Sequence, residues 1–128
     1  MTNPLAKAIE VPVDGRQSQT ALAVARGTSV HPFARLHALW GYGQLLRRGA
    51  ADAAALMPLL KDEDSEIRAQ TAKVLGDAAA AGMPGLGAGL VPLVADASPR
   101  VRLQASIALG KCREASAVDA LFALAERD

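Results

Sequence analysis

The sequence predicts an all-α fold of stacked helical hairpins, and three observations lead to this fold class. Alanine and leucine are abundant while only 3% of the residues are aromatic, a composition that favours close-packed helices over sheets. One ten-residue pattern recurs three times at a nearly constant spacing. Short apolar segments and turns with helix-capping residues precede these copies. At 128 residues, 51% of them hydrophobic, the chain suits a single domain with a buried core.

The recurring pattern is an apolar residue, an arginine, small or apolar residues spaced along one helix face, and a closing glycine. Its copies are ARLHALWGYG (34–43), IRAQTAKVLG (67–76) and VRLQASIALG (101–110). The second copy begins 33 residues after the first, and the third begins 34 residues after the second. Such self-similarity indicates a repeat architecture, in which each unit is one supersecondary element.

The segments that precede the second and third copies also align. LMPLLKDEDSEIR (56–68) matches LVPLVADASPRVR (90–102), so each unit is predicted to be a short proline-containing helix, an acidic turn and a longer helix. The predicted helix ends are the N-caps Asp64 and Ser98, Pro99 at a first helical position, and the C-terminal stops Gly49 and Gly82.

The pattern V-R-x-x-A-A-x-A-L-G, present as VRLQASIALG and more loosely as IRAQTAKVLG, resembles HEAT-like repeats, particularly the short bacterial, PBS-lyase-type variety. The resemblance covers roughly residues 18–128 and implies a right-handed α-solenoid of about three HEAT-like helical hairpins plus a terminal helix. The expected domains are an extended N-terminal linker at 1–17 and a repeat domain at 18–128, with units at about 18–49, 50–82, 83–113 and a partial unit at 114–128.

The terminal helix is expected to open with a capping box formed by Ser116 and Asp119. Its apolar residues Val118, Leu121 and Phe122 have no following helix to cover them. Because solenoids normally finish with a polar cap, we expect a longer array in the natural protein, or self-association through exposed repeat ends.

In HEAT-like solenoids the second helix of each unit lines the concave surface, and the resemblance implies a contact surface there. Exposed apolar clusters usually mark such contacts, and tryptophan is enriched at interface hot spots. The predicted contact surface consists of Leu36, His37, Trp40, Gln70, Lys73, Leu103, Gln104 and Ile107. The alternative is that Trp40 and Leu36 pack against a preceding repeat or against residues 1–17.

The other residues of the first repeat helix are expected to be architectural. The helical offsets predict burial of Ala38, Leu39, Gly41 and Tyr42, the last of which stands where the other copies have leucine. His37 has no cysteine, aspartate or second histidine at a metal-ligand spacing on its face. The sequence therefore predicts no metal site at this histidine.

Three further patterns are interpreted as structural. KDEDSEIR (61–68) lacks the glycine and the distal glutamate of a calcium loop, so its carboxylates are expected at the helix N-terminus, with Arg68 paired to an aspartate of its own or a neighbouring turn. GMPGLGAGL (82–90) follows a helix end and lacks the strand context of a dinucleotide-binding loop. The single cysteine, Cys112, allows neither an internal disulfide nor a cysteine-pair zinc site.

Charge and hydropathy bear on the partners. Fourteen basic residues face 13 acidic ones, so nucleic acid is not an expected partner, and this balance also counts against a HEAT-like lyase or DNA-repair glycosylase. No apolar run approaches the roughly 18 residues of a membrane-spanning helix, so no membrane partner is expected. We assign no cofactor, metal or catalytic residue.

The predicted function is a non-catalytic helical-repeat scaffold that contacts a protein partner, or another domain of its own chain, through its concave face. An alternative comes from ARLHALWGYGQLL (34–46), which resembles the HEAT-like arrays of large bacterial exported dehydrogenases. In those proteins a propeller precedes the repeats and a c-type cytochrome domain follows. That resemblance implies a docking or spacer segment in a periplasmic or exported oxidoreductase; without it the sequence assigns no compartment.

Overall fold

The computed structural model describes residues 15–127, and this part of the chain is helical with no strand, as the sequence predicts. The side chains of Ser116 and Arg127 lie outside this description. The α-helices are α1 (Gly15–Arg26), α2 (Pro32–Arg47), α3 (Ser65–Ala80), α4 (Gly87–Leu90), α5 (Pro99–Cys112) and α6 (Ala115–Arg127), and the 3₁₀ helices are η1 (Ala53–Lys61) and η2 (Val91–Ala95). None of these helices is both long and apolar enough to cross a membrane.

The helices begin and end close to the predicted caps. Asp64 accepts a hydrogen bond from the Glu66 amide and Ser98 accepts one from the Val101 amide, so both predicted N-caps are confirmed. Gly49 and Gly82 have positive φ angles of 72° and 106°, which allow the chain to leave the helix without a Cβ clash.

The ends of the chain depart from the predicted boundaries. Helix α1 begins at Gly15, inside the predicted linker 1–17, and residues 1–14 lie outside the described residues. Helix α6 begins at Ala115, so Ser116 is within its first turn and the predicted capping box is wrong by two positions. A local sequence signal places a helix terminus only to within one or two residues.

The short proline-containing helices have 3₁₀ rather than α geometry over most of their length. Pro58 lies inside η1 and Pro92 near the start of η2. Proline removes an amide donor and clashes with the carbonyl four residues earlier in an α-helix. The tighter 3₁₀ turn accommodates both prolines in short helices.

The three long helices α2, α3 and α5 pack in chain order, with α3 between the other two. Small residues set how closely they approach. A Cβ atom on Gly43 of α2 would lie 3.0 Å from Val74 Cγ1 of α3, and one on Gly76 of α3 would lie 2.8 Å from the Ala108 Cα of α5. Gly76 therefore allows the backbones of α3 and α5 to come into contact, and Gly43 makes room for the Val74 side chain.

The core runs between these helices and the shorter ones. Leu39 and Tyr42 of α2 are buried as predicted, whereas Ala38 is half-buried and Gly41 is exposed. Ala38 packs against the core but is only partly buried. The prediction for Gly41 is wrong, because no described residue covers this position: a Cβ atom there would meet nothing within 4 Å. The Tyr42 hydroxyl donates to the Asp52 carbonyl at 2.7 Å and accepts from the Asp52 amide, which fixes the entry to η1.

Candidate interaction surface

Ion pairs between successive turns join the long helices. The Arg35 guanidinium pairs with the Asp62 carboxylate, and its Nε donates to the Ala25 carbonyl at 2.9 Å. One unit later, Arg68 Nε and Nη2 each donate at 3.0 Å to an oxygen of Asp96. The predicted pairing of Arg68 with a neighbouring aspartate is therefore confirmed.

These pairs set the acidity of both aspartates. Burial would raise the pKa of Asp62, but hydrogen bonds from Arg35 and from the Asp64 amide outweigh it, and the pKa lies below its ordinary value. At Asp96 the hydrogen bonds from Arg68 are the main cause of a lowered pKa. Both carboxylates are therefore held in the charged form, which suits a structural ion pair.

Trp40 is held in one orientation by the neighbouring helix. Its indole Nε1 donates to Gln70 Oε1 at 3.0 Å, and its ring meets the His37 imidazole edge-on at 5.3 Å between centroids. The Gln70 amide nitrogen in turn donates to Glu66 Oε1 at 2.9 Å. Despite these contacts 44% of the tryptophan surface remains exposed. The indole is thus both accessible and preorganised.

The polar chain continues into the third unit. Arg100 of α5 donates from Nε and Nη2 to the two oxygens of Glu66, at 2.6 and 3.0 Å. These bonds are the main cause of a lowered Glu66 pKa. A second link joins Lys111 Nζ to Asp77 Oδ1 at 2.8 Å. Hydrogen bonds from Trp40 through Gln70 and Glu66 to Arg100 therefore connect α2, α3 and α5, and the Lys111–Asp77 pair joins α3 to α5 separately.

A cavity of about 300 Å³ lies beside the indole, between α2 and α3. We call it the Trp40 cavity; its lining residues are Trp40, Gly43, Gln44, Arg47, Lys73, Val74 and Asp77. Lys73 makes no hydrogen bond or ion pair within residues 15–127, and Asp77 is paired to Lys111. The cavity therefore offers an aromatic wall beside an unpaired ammonium group.

The predicted contact surface is only partly assembled. Trp40, Leu103 and Ile107 are 44, 57 and 45% exposed, and His37 and Lys73 are also exposed. Leu36 and Gln104 are half-buried. Leu103 occupies the repeat position of the fully buried Ala69, so its exposure follows from the open outer side of α5.

Gln70 is the clearest correction. The sequence predicts this residue on an exposed surface, but it is only 7% exposed. The Trp40 indole covers its amide oxygen, and its amide nitrogen donates to Glu66. Ala69, the residue before Gln70 on α3, is also fully buried. A helix with neighbours on both sides buries positions that periodicity alone assigns to solvent.

Several interacting residues were not anticipated from the sequence. The Glu66–Arg100 pair joins equivalent positions of successive repeats, and the Asp77–Lys111 pair does the same. Opposite charges at aligned positions were a signal that could have found both pairs. Arg26 Nη2 donates to the Ala55 carbonyl at 2.7 Å, and no sequence signal predicts that contact.

A second cavity, the single cysteine and the possible metal ligands are the other candidates for a functional site. A second cavity of about 800 Å³ between η1 and η2 is lined mainly by apolar groups, including Met57, Leu60 and Leu93. Burial raises the pKa of the Cys112 thiol, with a smaller effect from Glu114, which disfavours the reactive thiolate. Among the described residues, no three His, Cys, Asp or Glu side chains cluster as a metal site.

His31 lies in the turn before α2. It is exposed, and its Nδ1 accepts from the Phe33 amide at 3.2 Å, so it does cap the helix. Residues 15–127 are thus helical, with the exposed Trp40 indole and the hydrogen bonds around it on one side. Comparison of the sequence and structure with family models, curated proteins and solved structures finds no match.

Proposed function

We propose that the chain is a HEAT-like, right-handed α-solenoid segment that binds protein segments through the surface around Trp40 and has no catalytic role. The observation that carries this proposal is an exposed indole fixed by a hydrogen bond to Gln70. A preorganised aromatic group loses little conformational freedom on binding, and tryptophan is enriched at interface hot spots. The consecutive packing of α2, α3 and α5, with an Arg–Asp pair at each step, supports the solenoid arrangement.

The charges of the Trp40 cavity favour a particular kind of partner segment. Arg47 and Lys73 line the cavity, while its one carboxylate, Asp77, already pairs with Lys111. An apolar side chain can lie on the indole while a neighbouring carboxylate approaches Lys73. The partner segment therefore combines an apolar or aromatic residue with Asp or Glu, and it belongs to a separate protein or to another domain of the same polypeptide.

Selection of random displayed peptides against the immobilised full chain tests this function. We expect selected peptides to combine apolar and acidic residues. Trp40→Ala should weaken their binding at least about tenfold, as removal of a hot-spot anchor does, and Lys73→Glu should weaken it by charge repulsion. Affinity is measured by fluorescence anisotropy of labelled selected peptides.

Phe122→Ala is the matched control, because Phe122 is also an exposed aromatic residue but lies on α6. It should leave peptide affinity unchanged, and Trp40→Ala should leave helicity nearly unchanged in circular dichroism. Peptides that bind equally well to the wild-type chain and to Trp40→Ala would show that this surface is not the recognition site. A collapse of Tm in Trp40→Ala would instead assign Trp40 to packing.

A further inference from the structure

The outer side of α5 has the features that α2 and α3 use to bind the next long helix. We define the end face by Arg102, Leu103, Ser106 and Gly110. It is distinct from the Trp40 cavity, so a binding role for the end face goes beyond the proposed function. Each residue of the end face has counterparts in the earlier repeats. The contacts that these counterparts make indicate which kind of helix the end face can bind.

The repeat glycine shows the difference most directly. A Cβ atom on Gly76 would meet Ala108 of the next helix at 2.7 Å from its Cβ, whereas one on Gly110 meets nothing within 4 Å among the described residues. The neighbouring positions show the same difference. Ala69 and Ala72 are fully buried, whereas their counterpart Leu103 is 57% exposed and their counterpart Ser106 is half-buried. The helix-binding side of α5 is therefore open.

The repeat arginine adds a specific chemical requirement. Arg68 uses Nη1 to bind the carbonyls of Asp62 and Glu63, which leaves Nε and Nη2 to bind both oxygens of Asp96 in the next turn. Arg102 Nη1 binds the equivalent carbonyls of Asp96 and Ala97. Within residues 15–127 its Nε and Nη2 have no acceptor. The guanidinium is thus held by the same backbone contacts with its carboxylate-binding edge unoccupied.

We propose that the end face binds the second helix of one further hairpin of this repeat type, whose preceding turn supplies an aspartate to Nε and Nη2 of Arg102. Charge complementarity identifies this occupant, because a bidentate carboxylate matches the open guanidinium edge. The helix itself covers Leu103 and approaches Gly110 backbone to backbone, as α5 approaches Gly76.

A second copy of this chain lacks the required carboxylate. Ser29 stands six residues before Arg35, where Asp62 stands six residues before Arg68. The start of a second copy would therefore bring a neutral side chain to Arg102. In the sequence, Asp128 directly follows α6, as Asp62 directly follows η1 and Asp96 directly follows η2; Asp128 lies outside the described residues.

The test extends the full chain after Asp128 with a copy of residues 63–82, which supplies the rest of an acidic turn and the whole of α3. We expect the extended chain to melt at least about 4 °C higher and the amides of α5 to exchange at least about tenfold more slowly. Arg102→Met and Gly110→Leu should each abolish most of this gain in the extended chain. In the unextended chain both substitutions should have little effect.

Three results would overturn the proposal. An added segment that neither raises Tm nor protects α5 would mean that the end face does not bind such a helix. A gain that survives both Arg102→Met and Gly110→Leu would mean that the added helix binds elsewhere. Sedimentation of the unextended chain should show a monomer; a dimer lost in Arg102→Met would assign the end face to a second copy instead.

Discussion

Helices α3 and α5 have the same sequence motif but different surroundings. Helix α3 lies between α2 and α5, so Ala69, Ala72 and Gln70 are buried, whereas α5 has no further motif helix beyond it among the described residues and exposes Leu103 and Gly110. The motif residues Arg68 and Arg102 make the same backbone contacts, but only the first also binds a carboxylate. The repeat arginine therefore binds a carboxylate only where the next unit supplies one.

The largest contrast is expected between arginines at equivalent positions. Arg35→Met should lower the free energy of unfolding by about 3 kcal/mol, because it leaves the nearly buried Asp62 carboxylate without its partner. Arg102→Met should cost about 1 kcal/mol or less, because it removes hydrogen bonds to carbonyls and a minor charge effect on Asp96, and it leaves no carboxylate without its ion-pair partner. Urea unfolding of both variants measures the difference, and equal losses would contradict the contrast.

The repeat glycines should give effects of opposite sign. Gly76→Ala places a Cβ atom against the Ala108 backbone and should destabilise by about 1–3 kcal/mol. Gly110→Ala meets no neighbour among the described residues and should stabilise by about 0.5–1 kcal/mol, since alanine is the better helix former. Thermal unfolding of the two variants compares them directly. If Gly76→Ala stabilised the protein instead, α3 and α5 would be less closely packed than the 2.8 Å approach to the Ala108 Cα indicates.

Acid should weaken the Arg35–Asp62 and Arg68–Asp96 ion pairs, which have no counterpart at Arg102 among the described residues. The pKa of Asp96 is lowered chiefly by Arg68, and that of Asp62 is lowered because Arg35 outweighs burial. A lowered folded-state pKa contributes stability above the unfolded value of about 3.9, and this stability is lost as pH falls through the folded pKa.

We therefore expect the urea midpoint to fall below about pH 4. Asp96→Asn should make this decline shallower because it removes one of the two titrating partners. Arg102→Met should change the slope much less, since Arg102 makes no ion pair with a carboxylate in residues 15–127 and lowers the pKa of Asp96 only as a minor charge effect. A midpoint that rises as pH falls from 5 to 3 would have the wrong sign for these ion pairs.

The candidate surface was predicted only in part, for an identifiable reason. Helical spacing placed Trp40 and Ile107 in solvent, and both are exposed. The same spacing also placed Gln70 in solvent. That prediction is wrong because Trp40 of the preceding unit covers Gln70. Spacing within one helix carries no information about which side chain reaches over from the next helix.

The sequence by itself determined the helical class, the N-caps Asp64 and Ser98, the glycine stops and the pairing of Arg68 with an aspartate, because these depend on local backbone geometry and on charges repeated at a fixed spacing. Only the tertiary structure decided which repeat positions are covered. Ala69 and Leu103 occupy the same place in the motif, yet one is fully buried and the other exposed. Burial depends on whether a neighbouring helix is present, and a repeat motif is the same with or without that neighbour.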